Sequence, residues 1–153
     1  MSATIHVNFT RGTGIGGAFV RWWTRSKYAH VSISTPYSCI DAAPGRGVGF
    51  RQEPIGAKRV SFEVTASQLD RLSLFIDAEY GCKYDWLGDF ACGLPWAARE
   101  KENAWFCSEF SCAALQSIGI LRKTIEPWRL SPQMLYELIS GHPDALYEAT
   151  PHG

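Results

Sequence analysis

Two β-rich segments, residues 29–34 and 38–42, flank Thr35-Pro36-Tyr37, a turn signal of hairpin length. A link that short lets the two runs pair only as antiparallel neighbours. Side chains alternate along a strand, so Tyr28, His30, Ser32 and Ser34 point one way while Ala29, Val31 and Ile33 point the other. One face of the hairpin is polar and the other apolar. Strand-like alternation over residues 4–9 precedes it. A further strand over 59–64 follows, with 50–53 as a shorter candidate after a turn region at 44–49.

Helices cover the apolar surface. Thr65-Ala66-Ser67 is an N-cap signal, Leu69, Leu72, Phe75, Ile76 and Tyr80 recur at helical spacing, and Gly81 closes the helix. Residues 107–117 read as a second helix with Gly119 as its stop. Phe110, Ser111, Ala114 and Ile118 lie three, four, seven and eleven positions after Cys107, on the same stripe. Ser131-Pro132 pairs an N-cap with proline at the first helical position and opens a third helix to about residue 139. Residues 145–149 offer a last strand. The aromatic-rich stretch 82–105, broken by Gly88, Gly93 and Pro95, reads as loops and short helical turns.

The chain has 153 residues, 46% of them apolar and 20% charged, which suits one globular domain with a sizeable core. The elements assemble as a single α+β domain over 1–153. Fifteen basic residues balance fifteen acidic ones, without a basic stripe interleaved with aromatics, so a nucleic-acid partner is not expected. No run approaches the ~20 apolar residues of a transmembrane segment. The N-terminal residues show no basic region followed by an apolar stretch, from which we expect a cytoplasmic protein, or a phage-encoded one delivered by another route.

The five cysteines, at 39, 82, 92, 107 and 112, form no Cys-x-x-Cys pair and no regular framework, so disulfides, metal and other cofactors are not expected. Gly12, Gly14 and Gly17 satisfy G-x-G-x-x-G. The short helix expected after them, over 18–24, is too brief for a dinucleotide-binding unit, and a loop is the better reading.

Cys107 stands apart because it opens a helix, where unpaired N–H groups and the helix dipole favour a thiolate. A base of near-neutral pKa must accompany it, and histidine is that residue. Of four histidines, His142 and His152 sit beside proline in turn-like sequence, and His6 has no obvious orienting acid. His30 lies mid-strand on the polar face, and Asp41 on the paired strand can accept from its second nitrogen. Taken singly, a buried cysteine or a strand histidine is usually structural. Together they supply nucleophile, base and orienter.

The segments Tyr28-Ala29-His30-Val31-Ser32-Ile33, Cys39-Ile40-Asp41-Ala42 and Trp105-Phe106-Cys107-Ser108-Glu109-Phe110 resemble the permuted papain-like amidases of the YaeF/YiiX type. These are relatives of the NlpC-type cell-wall peptidases and of lecithin:retinol acyltransferase. Gly81-Cys82-Lys83-Tyr84-Asp85 and Ser131-Pro132 with Leu135 extend the resemblance over roughly residues 12 to 138. Asp41 stands where that family more often has Glu, and Ser32 where it often has Gly. The resemblance implies a circularly permuted papain-like fold, with an antiparallel sheet packed against the Cys helix. It also implies acyl transfer: Cys107 attacks a carbonyl, its backbone N–H helps hold the oxyanion, and His30 protonates the leaving group. Tyr28, on the His30 face, is the candidate second oxyanion donor.

The expected substrate is a peptide or other amide, cell-wall or lipid-linked substrates included. A thioesterase or acyltransferase acting on lipid acyl groups is the alternative, with Trp22, Trp23, Trp86, Trp96 and Trp105 available to wall an apolar groove, although core and rim packing is their ordinary use. A catalytically silent binding module of the same fold is the third reading.

Overall fold

The computed structural model describes residues 2–12, 17–18, 21–22, 25–85 and 104–146. Among the described residues up to 65 are the strands β1 (Ser2–Thr10), β2 (His30–Ser34), β3 (Cys39–Ala43), β4 (Gly47–Arg51) and β5 (Lys58–Thr65). Helix α1 (Ala66–Glu79) follows, then short strands β6 (Lys83–Tyr84) and β7 (Ala104–Trp105), helices α2 (Cys107–Ser117) and α3 (Pro132–Ser140), and β8 (Ala145–Leu146). Six strands form one sheet in the order β4-β3-β2-β1-β5-β8. Every neighbouring pair in it is antiparallel. An α+β architecture with an antiparallel sheet is therefore what this sequence builds.

β1 is central because its alternation serves two partners. It pairs with β2 from His6 opposite Ser34 to Thr10 opposite His30, and with β5 from Ser2 opposite Thr65 to Phe9 opposite Lys58. Ile5, Val7 and Phe9 join Val31, Ile33, Ile40, Ala42, Val60, Phe62 and Val64 in the core, together with Leu72 and Ile76 of α1, Phe110 and Ala114 of α2, and Leu135 and Ile139 of α3. The opposite parity carries polar side chains that bond to one another: Asn8 Nδ2 donates to Ser34 Oγ at 2.8 Å, and His6 Nδ1 lies 2.7 Å from Ser61 Oγ. His6 thus has a structural partner in the sheet.

The helix ends follow local chemistry. Thr65 accepts from the Gln68 N–H while Gln68 reaches back to the Thr65 N–H at 2.9 Å, a reciprocal cap that starts α1 directly at the end of β5. Ser131 caps α3 by accepting from the Met134 N–H, with Pro132 behind it. Gly81 and Gly119 both have positive φ, as expected of residues just past a helix.

Two expectations change. Residues 44–49 are not all turn: Gly47 and Gly49 belong to β4, opposite Ala43 and Asp41. Glycine reads as a turn signal, but here it permits close approach, since a Cβ at Gly47 would run into the Cys82 carbonyl oxygen. Within 82–105, Lys83 and Tyr84 pair in parallel with Ala104 and Trp105, where only loops and helical turns were expected. Two-residue bridges carry no periodicity, so nothing in the sequence marks them. Residues 145 and 146 pair as β8 where a last strand is expected, and the rest of that strand lies outside the described residues. Residues 17, 18, 21 and 22 are helical. Gly14, Trp23, Trp86, Trp96 and Cys92 also lie outside the described residues.

Candidate active site

Cys107 is the first residue of α2, after Phe106 at the N-cap, and only 1% of it is exposed. The next five residues, Ser108 to Cys112, are buried too, so the start of this helix is enclosed all round. Two side-chain bonds hold it. Ser108 Oγ donates to the Leu130 carbonyl at 2.6 Å, and Glu109 Oε2 accepts from the Phe106 N–H at 3.4 Å. The N–H groups of a first helical turn have no intrahelical acceptors, and they point toward the end of the helix at which Cys107 stands.

His30 begins β2 and Asp41 lies in the middle of β3. The β2–β3 ladder holds at Ile33 opposite Ile40 and Ser34 opposite Cys39. Continuing that register puts Asp41 opposite Ser32, one diagonal step from His30. The step is closed by a short contact, His30 Nε2 to Asp41 Oδ2 at 2.6 Å. With Nε2 taken, Nδ1 is the nitrogen left for the Cys107 thiol, which is near enough to act on the charge of the ring.

Burial, the largest influence on the ring, disfavours its charge. The hydrogen bonds from Asp41 and Cys107 and the negative charge each can carry outweigh it, and together they push the His30 pKa up to about 10 from 6.5. The other cysteines sit differently. Burial, and then the charge of Glu109, drives Cys112 up to about 12. Burial and a hydrogen bond to Glu79 also raise Cys82. Cys39, Cys82, Cys107 and Cys112 are all free thiols.

The chain thus brings together Cys107, His30 and Asp41, three residues drawn from a helix start and two strands. Tyr28 is placed differently. Its ring is 6% exposed and packs against Phe9 and Tyr136, with centroids 5.5 and 5.1 Å away. Burial, followed by the neighbouring Tyr136, raises the pKa of its hydroxyl.

One residue at the site was not anticipated. Arg51, at the end of β4, has Nε 3.2 Å from Asp41 Oδ1. The register Asp41 opposite Gly49 would have put it on the Asp41 face, but only once the glycine-rich segment is read as strand. A cavity of about 660 Å³ opens beside Asp41, with Pro44, Arg46, Phe50, Arg51 and Gln52 in its walls. Among the described residues there is no cluster of His, Cys, Asp and Glu fit to hold a metal ion, and no helix is long and apolar enough to cross a membrane.

Neither a protein-family model nor a curated protein sequence matches the chain.

Proposed function

We propose that this protein is a cysteine hydrolase of the permuted papain-like type, cleaving an amide of a peptide, peptidoglycan or related substrate through a thioester. The observation that carries the reading is the imidazole of His30, held on one nitrogen by Asp41 at 2.6 Å and close enough to the helix-start thiol of Cys107 for that neighbour to help raise its pKa. Attack by the sulfur on a carbonyl forms the tetrahedral intermediate, and the imidazolium hands its proton to the leaving amine. Water, deprotonated by the same ring, then releases the acyl group from Cys107.

The Cys107 backbone N–H is one oxyanion donor in this mechanism, and Tyr28 is our candidate for a second. The ring of Tyr28 is buried against Phe9 and Tyr136, and substitution separates the two roles. Tyr28→Phe lowers kcat by ~10²–10³ if the hydroxyl serves the oxyanion. An unchanged kcat with a lowered melting temperature assigns Tyr28 to packing.

The test is turnover of a panel of peptide amides and acyl esters by the wild-type chain and Cys107→Ala, with intact-mass detection of the acyl-enzyme. Amide cleavage that vanishes in Cys107→Ala is the expected result. Preference for acyl esters moves the activity to the thioesterase or acyltransferase reading. Absence of any acyl-enzyme across the panel supports a silent binding module.

A further inference from the structure

We propose that Arg51 is a positioning residue of this site: its guanidinium clamps the second carboxylate oxygen of Asp41, and Gly49 is the gap that lets it do so. The inference rests on reading Cys107 and His30 as a reacting pair.

In β4 it is Gly49, not Arg51, that stands opposite Asp41, while Arg51 stands opposite Cys39. To reach the carboxylate, the Arg51 side chain has to fold back along its own strand over position 49. It is held there by the backbone: Nη1 donates to the Phe50 carbonyl at 2.9 Å and Nη2 to the Gly47 carbonyl at 3.2 Å. That leaves Nε facing Asp41 Oδ1 at 3.2 Å. A methyl group at position 49 would stand 2.7 Å from Nη1, nearer than a real Cβ approaches, so any side chain there displaces the guanidinium. Gly49 has ordinary backbone angles, so the need for glycine is one of space rather than of conformation.

The geometry divides the carboxylate between two partners. Oδ2 belongs to His30 at 2.6 Å and Oδ1 faces Arg51. Oδ1 and Arg51 Nε are both buried and neither makes a hydrogen bond, so the contact between them is an ion pair, and removing Arg51 leaves a buried carboxylate oxygen without its countercharge. An Asp held at both oxygens cannot rotate Oδ2 away from the imidazole. A planar guanidinium anchored by its own forked donors fixes a carboxylate in a way that a lysine ammonium does not.

The readout is the second-order rate of Cys107 alkylation by iodoacetamide at pH 6, measured on the full chain and assigned by peptide mass mapping, with melting curves to confirm folding. Arg51→Met slows it about tenfold, and Arg51→Lys and Gly49→Ala do the same, because all three lose the clamp. In an Asp41→Asn background Arg51→Met produces no further loss, because Arg51 acts through Asp41. A wild-type rate in Gly49→Ala or Arg51→Lys, or losses that multiply in the double variant, overturns the assignment. If Arg51→Met fails to fold, Arg51→Lys and Gly49→Ala decide the matter. Failure of the wild-type chain to alkylate preferentially at Cys107 refutes the Cys107–His30 reading itself, a result separate from any outcome for Arg51.

Discussion

Replacing Asp41 by Asn keeps the outline of the side chain and removes its charge, and the consequence falls on His30. The substitution takes away a charge-assisted hydrogen bond of 2.6 Å to a side chain with 26% of its surface accessible. Such bonds contribute about 1.5–3 kcal/mol, and a pKa unit corresponds to about 1.4 kcal/mol, so the shift is about one to two units. From about 10 in the wild-type chain, His30 moves downward by that amount. Its folded pKa lies above the unfolded value, so the stability its proton contributes is complete below about pH 6.5 and is lost as pH rises through about 10. The part of the stability gap between wild type and Asp41→Asn that His30 carries is therefore about 2 kcal/mol at neutral pH and below the unfolded pKa, and is lost above pH ~10. The assay is an NMR titration of histidine-labelled protein, with His6 and His142 as internal comparisons, alongside melting curves at each pH. A wild-type His30 that titrates near 6.5, or one that does not respond to Asp41→Asn, refutes the reasoning.

Three further perturbations probe the frame around the site. Gly47→Ala forces a side chain onto a backbone with φ of 69° and into the Cys82 carbonyl, costing at least about 2 kcal/mol; thermal melting should show a fall of several degrees. Ser108→Ala leaves the buried Leu130 carbonyl without its donor and destabilises the start of α2 by about 1–3 kcal/mol, measurable by urea denaturation. Ser131→Ala removes the cap of α3 and costs about 1 kcal/mol, and the same denaturation experiment detects it.

The parts of this molecule that were legible in the sequence are those specified by residues close together in the chain. Thr65-Ala66-Ser67, and Ser131 with Pro132, announce helix starts because a cap is made within four residues. The nearness of His30 and Asp41 was legible for the same reason, since a hairpin turn sets both strands in register. Cys107 was distinguishable from the other cysteines by its place at a helix start, whereas its contact with His30 joins residues far apart in sequence and could only be inferred from chemistry. Arg51 stayed hidden because its strand carries two glycines, the usual sign of a turn. Here those glycines make room, one for the Cys82 carbonyl and one for the guanidinium. The β6–β7 bridge left no mark either, because two paired residues create no alternation to read.

Dose-limited alkylation of the intact protein puts the central claim to the most direct test. The wild-type chain and His30→Ala are treated with less than one equivalent of iodoacetamide at pH 6, and the modified cysteine is located by peptide mass mapping. The account predicts that label collects on Cys107 in the wild-type chain and that this preference disappears in His30→Ala. Label spread evenly over the cysteines, or a Cys107 preference that survives the loss of His30, would contradict it.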